Sequence, residues 1–266
     1  MAWTEGVEIS FGGSKTANQA SIAANVSDTA TAGQLLVTVI ALDNNGTADG
    51  DEGAVTSITD PGSNTWVKAI EFTNAQGSAQ TGATCSVWYA ECVTGYSSGT
   101  ITINLSNSAS RDATGWQFKC FTKGAGATVS VAGTASLATD GADPGAITLG
   151  SLSSSEYLWI WGLAAEGPDT DAYTLDADYT TMLNGAGARG TTGGGATTNM
   201  HVRGAFRIFT GTTDTVDVTS TTADRDYAQV LVAFKETATG TNPVWLRVGG
   251  VRGMRAGQNQ NFGRTW

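Results

Sequence analysis

The chain is poor in the side chains that carry covalent chemistry. A single histidine, His201, and three cysteines serve 266 residues, and only 14% of the chain is charged. No Walker loop, no cysteine or histidine pair at zinc spacing and no His-Glu-x-x-His pattern occurs, so nucleotide-driven and zinc-dependent chemistries find no seat here. His201 lies in an alternating run from Met200 to Phe209 with no nucleophile elbow beside it. It reads as a satisfied strand histidine, and no catalytic residue, metal or cofactor is assigned. Three cysteines make no even disulfide framework; Cys85 and Cys120 fall in apolar strand patterns, and all three are expected to be buried thiols. No apolar run approaches the roughly 20 residues of a membrane span, and the segment from Met1 to Glu8 lacks a basic start and an apolar stretch. Folding in a reducing cytosol, without a membrane partner, is the expectation.

What the chain does have is 35 glycines, abundant Thr and Ser, and β-branched or aromatic residues at a two-residue period. Pleated structure follows, since no window sustains the i, i+3, i+4, i+7 spacing of an amphipathic helix. The strands recur. Ser106 to Asp112 and Ser220 to Asp226 each end in Arg-Asp, and each separates an alternating strand from a denser apolar one. Upstream, Leu35 to Leu42 answers Tyr157 to Ala164, and Cys85 to Tyr89 answers the run from His201 to Phe209. Four strand pairs in one order mark a tandem duplication. The expected fold is all-β, two jelly-roll-like antiparallel β-sandwich repeats, with an extended C-terminal arm. Residues 1–130 form the first repeat with its N-terminal segment, 131–236 the second, and 237–266 the arm. Roughly 110 residues per sandwich suffice for two separate cores.

Each apolar central strand runs into an acidic loop: Asp43, Asn45, Asp49, Asp51 and Glu52 in one repeat, Glu166, Asp169, Asp171, Asp176 and Asp178 in the other. Oxygen-rich loops can hold calcium, but neither completes the EF-hand spacing, so solvated loop charge is the reading adopted. The same carboxylates serve as a glycosidase pair only if the fold brings two of them face to face. Trp159 and Trp161 share one side of a central strand and belong in a core. Trp66 and Trp88, nearer loop ends, are the candidates for stacking on a glycan.

Charge is divided unevenly along the chain. From Thr237 onward there is no acidic residue and there are four arginines, so the total of −10 splits into +4 on this arm and −14 on residues 1–236. A Gly- and Gln-rich arm cannot bury enough apolar surface to order itself alone. Its Arg forks and aromatics, Trp245, Arg247, Arg252, Arg255, Phe262, Arg264 and Trp266, suit an acidic protein surface on another copy or another assembly component. Nucleic acid is not an expected partner, because an acidic body repels phosphate.

The first repeat carries Ala32-Gly33-Gln-Leu-Leu-Val37, Ile58-Thr-Asp60, Asn64-Thr-Trp66, Val87-Trp-Tyr89-Ala90 and Gly99-Thr-Ile-Thr-Ile103. Across about residues 30–122 this resembles a β-sandwich pattern of tailed-bacteriophage structural proteins and bacterial surface proteins. The second repeat lacks the Asn-x-Trp element and shares only strand order and the Arg-Asp echo. The resemblance implies a structural or adhesive module and transfers no catalytic residue. The expected role is a non-enzymatic virion subunit, made in the host cytoplasm, acting as capsid decoration, head spike or tail accessory. Its partners are copies of itself and other virion proteins. A carbohydrate-binding adhesin acting on a host surface glycan is the alternative.

Overall fold

The computed structural model describes residues 3–16, 19–77, 81–106, 112–183, 190–193, 195, 198–220 and 224–238. Among them there is no α-helix, and hence none long and apolar enough to cross a membrane. Sixteen strands form four antiparallel sheets. In the first repeat, β1 (Thr4–Ser14), β8 (Thr114–Thr122), β3 (Leu35–Asp43), β6 (Ala83–Glu91) and β5 (Trp66–Asn74) pair in that order. Beside them β2 (Ser21–Asn25), β7 (Thr100–Leu105) and β4 (Val55–Thr59) make a smaller sheet. Pairing first with eighth, second with seventh and third with sixth is jelly-roll winding, with β5 attached to β6.

The second repeat winds the same way, each strand number raised by eight. Its larger sheet orders β9 (Thr128–Gly141), β16 (Arg225–Thr237), β11 (Ser155–Glu166), β14 (Met200–Gly211) and β13 (Thr180–Thr181). Its smaller sheet orders β10 (Gly145–Leu149), β15 (Asp214–Ser220) and β12 (Tyr173–Thr174). Strand β9 opens this repeat at Thr128, three residues before the break expected after residue 130. Residues 237–266 lie outside the described residues except for Thr237 and Ala238.

Two separate sandwich cores were expected; the structure has a third between them. Leu36, Ile40, Trp66, Trp88 and Phe118 fill the first sandwich, and Trp159, Trp161, Leu163, Tyr227 and Leu231 fill the second. Leu35, Val37, Val39, Ala41, Leu158, Ile160, Val230 and Val232 form one cluster joining the two larger sheets. The layers therefore run three, five, five and three strands deep, with β3 facing β11, β6 facing β16 and β8 facing β14. Burial on both faces explains why Leu35 to Leu42 is an unbroken apolar run: alternation appears only where one face meets water.

Facing also corrects the alignment of the repeats. Trp116, Phe118 and Cys120 point into the first sandwich, whereas Val230, Val232 and Phe234, their partners under the Arg-Asp echo, point into the shared core. A shift of one residue exchanges the two faces of a strand, so the echo is one residue out of register. The pairing of Leu35 with Tyr157 fails on the same ground, since only Leu35 faces the shared core. Matching faces instead makes Asp43 answer Glu166, Val39 answer Gly162, Tyr89 answer Phe206 and Phe121 answer Phe234. Tyr89 meets Phe234 edge-on at 5.0 Å between ring centroids, and Phe121 meets Phe206 at 5.1 Å. These contacts exchange when the repeats are exchanged, as in an isologous two-fold interface.

Val39 and Gly162, a matched pair, meet each other in the middle of this interface. A Cβ on Gly162 would stand 2.9 Å from Val39 Cγ1 and 3.0 Å from Cys85 Sγ, so only glycine lets β3 and β11 approach this closely. Gly162→Val is expected to destabilise the protein by about 1–3 kcal/mol through overpacking. Urea unfolding checks this, and a midpoint equal to that of the wild type would show that the contact is not tight.

Candidate functional site

At one end of the layered stack, β3 and β11 finish in Asp43 and Glu166. Asp43 Oδ2 accepts the backbone N–H groups of Asp112 and Ala113 at 2.6 and 2.7 Å, which ties the start of β8 to the end of β3. Glu166 is 6% exposed and hydrogen-bonds Asp226 on the neighbouring strand. Burial, that hydrogen bond and the nearby charges of Asp226 and Asp43 push its carboxyl up to about 8, so at neutral pH Glu166 holds the proton and donates it to Asp226. Burial also raises Asp226, with the Asp140 charge adding to it, while the donated hydrogen bond works the other way. Arg225 is directed to the acidic loop: its Nε and Nη2 donate to Asp171 Oδ2 and Oδ1 at 2.7 and 3.3 Å. The second-repeat Arg-Asp thus fastens a loop and closes a carboxyl pair. Arg111 lies outside the described residues.

These carboxyls share a hydrogen bond, whereas a glycosidase pair stands at least about 5 Å apart around a sugar. Most of the remaining loop carboxylates are also committed locally. Glu52 accepts from the N–H groups of Asn45 and Gly46 and from Thr84 Oγ1, Asp49 accepts from Ala75 N, and Asp51 pairs with Lys68 at 2.7 Å. In the second repeat Asp178 and Asp214 grip Arg207, and Asp176 accepts the N–H groups of Asp178 and Asp217. Among the described residues no group of three or more His, Cys, Asp or Glu can hold a metal ion.

The indoles considered for glycan stacking face inward. Trp66 is 9% exposed and Trp88 6%, and both pack in the first sandwich core, where neither offers a ring face to a sugar. The cause for Trp66 lies in the Asp60 to Trp66 turn. Asp60 Oδ2 accepts the Trp66 indole N–H at 2.9 Å, Oδ1 accepts Asn64 N at 3.0 Å, and Asn64 Oδ1 accepts from Val93 and Thr94. This Asp60–Trp66 element therefore works as a turn fastener. His201 is fully buried; its Nδ1 donates to Pro168 O at 3.1 Å and its Nε2 accepts from Arg203, which makes it a neutral strand histidine. Cys85, Cys92 and Cys120 are buried free thiols, and burial raises all three above the ordinary range. Trp245, Arg247, Arg252, Arg255, Phe262, Arg264 and Trp266 lie outside the described residues.

One concave site escaped the sequence reading. At the opposite end of β11, Trp3, Ser155, Glu156 and Glu236 line a cavity of about 160 Å³. Leu158 pairs with Phe234, and two residues further along each strand stand Glu156 and Glu236. Glu156 Oε1 accepts Trp3 N at 3.1 Å, and Glu236 Oε1 accepts Gly124 N at 2.8 Å. Trp3 Nε1 and Glu236 Oε2 are buried without partners. Trp3 lies 153 residues from Glu156, so no local spacing announces this site. A second, shallower hollow of about 330 Å³ lies between Thr29 to Ala32 and Gly95 to Ser97.

Comparison of the chain with protein-family models, curated proteins and solved structures finds no match.

Two outcomes follow from the polar clusters. Glu166 ordinarily titrates near 4.5 and is held near 8 in the fold, so its stabilising contribution is full below about pH 4.5 and lost as pH rises through 8. Glu166→Gln, permanently neutral, should be more stable than the wild type at pH 9 by about 1 kcal/mol or more and should flatten the decline in melting temperature between pH 6 and 9. Parallel pH profiles for the two proteins would contradict the shared proton. Trp66→Phe removes the indole donor from buried Asp60 and leaves a void, at a cost of about 2 kcal/mol or more in urea unfolding. A loss under about 0.5 kcal/mol, the range of an ordinary surface change, would show the turn does not depend on it.

Proposed function

We propose that the protein is a non-enzymatic structural subunit of a tailed-phage virion, made in the host cytoplasm and attached to its assembly by residues 237–266. Capsid decoration, head spike and tail accessory positions all fit this role. The observation that carries the reading is the division between a closed body and a basic arm. In the body, the central strands of each larger sheet are covered on both faces, and most loop carboxylates are engaged with backbone N–H groups, Arg and Lys. Such a block has few charged residues but a net acidic balance, and it is rich in Thr, Ser and Gly. The arm supplies four arginines and no acid after an otherwise acidic chain, the charge balance of a segment that recognises an acidic protein surface.

Partners on this reading are further copies of the chain and other virion proteins. The phage-like pattern of residues 30–122 supports the reading, and its Asp60–Trp66 element serves the fold. The adhesin alternative loses its stacking residues to burial of Trp66 and Trp88.

Removing residues 242–266 is expected to leave a body with the wild-type circular dichroism and melting curve that sediments as a monomer and fails to enter virions. Normal incorporation of the truncated protein would refute attachment through the arm.

A further inference from the structure

We propose that the cavity between Trp3, Ser155, Glu156 and Glu236 is a receptor for an arginine side chain, and that its occupant is the chain's own C-terminal segment, residues 239–266. The inference deepens the assembly role given above and rests on it. Two carboxyl groups from adjacent strands line this cavity, on the face shared by the two repeats, at the edge of the core. Bringing like groups together at a half-buried strand end is unfavourable unless a cation joins them.

Glu236 is 9% exposed and its Oε2 has no partner, while the Trp3 ring is 3% exposed with an unbonded N–H. Such orphaned buried groups cost stability and reward a ligand that completes them. A guanidinium brings five N–H donors in a planar fork, enough to serve two glutamates. The indole N–H needs an acceptor, which a guanidinium cannot supply. A peptide carbonyl next to the arginine can, so the ligand that satisfies every group is an arginine within a chain. Ser155 offers a hydroxyl to the same chain. A bare metal ion fits less well, because only two carboxyl groups line the cavity.

Length and charge point to residues 239–266. The described body ends at Ala238, two residues beyond Glu236, so this segment starts beside the cavity. It holds Arg247, Arg252, Arg255 and Arg264 and no acidic residue. Even Arg247, nine residues past Ala238, can lie up to about 30 Å from that point, enough to reach this cavity or that of an adjoining copy.

The test is hydrogen–deuterium exchange of the full chain, followed by mass spectrometry. Wild-type peptides from residues 239–266 should be protected. In the Glu156→Gln, Glu236→Gln double variant that protection should fall at least tenfold, with the melting curve otherwise retained. A second variant, in which the four arginines after residue 239 become glutamine, leaves the body untouched. It should lose the same protection and also expose peptides covering Ser155, Glu156 and Glu236. Protection that survives either variant, or that is absent from the wild type, overturns the receptor. Sedimentation of the same variants reads the assembly role separately. Loss of assembly on truncation with exchange indifferent to Glu156 and Glu236 removes only the receptor, whereas a protected segment in a protein that never assembles removes only the assembly role.

Discussion

The structure depends on the apolar contact between its two larger sheets. Face-to-face sheet packing buries surface that each jelly roll alone would leave in water, and the third core it creates is contiguous across the repeats. The central strands β3, β8, β11 and β16 must then be apolar on both sides, and nearly every residue of these strands is buried. Two polar residues in the middle of the interface take partners from the other repeat. Gln117 donates to Val202 O and accepts from Gly204 N, bridging β8 and β14. Lys119, fully buried, pairs with Glu5 at 2.8 Å and donates to Met182 O at 3.3 Å. Neither could stay in an isolated repeat without losing a contact.

The same contact leaves the central strands of the larger sheets no open face. Each end of β11 sets a carboxyl group near one from β16. At one end Glu166 and Asp226 resolve the conflict internally, by sharing a proton. At the other, Glu156 and Glu236 leave a carboxyl oxygen and an indole N–H open. The first solution stabilises a fold; the second leaves chemistry for a partner.

Much of this was legible from short-range pattern. Alternation and glycine-rich breaks suffice for an all-β jelly roll wound twice, because strand period and turn chemistry are local properties. The burial of His201, Trp159 and Trp161 follows from their neighbours in the same strands. Register across the repeats is another matter. The Arg-Asp dipeptide looks like a landmark, yet Arg225 is needed by Asp171 and Asp226 by Glu166, partners contributed by a loop and a strand more than 50 residues earlier. Similar letters there serve contacts particular to the second repeat, and only the facing of Trp116 against Val230 exposes the slip. The shared core was hidden for a related reason. An unbroken apolar run says that both faces are buried, without saying against what.

The two repeats are equivalent in winding and in their central contacts, but not in the cavity. Under the face-matched alignment Glu156 answers Gly33 and Glu236 answers Lys123, which already pairs with Glu91 at 3.2 Å. The first repeat therefore has a cation and a glycine where the second has two carboxyl groups, and Trp3 comes from outside the second repeat altogether. A feature built once on a doubled scaffold is not required by the winding, since the other repeat folds without it. The conserved geometry of the pair, Tyr89 on Phe234 and Phe121 on Phe206, serves stability. The cavity and the basic segment after Ala238 each occur once in the chain, and they carry opposite kinds of group.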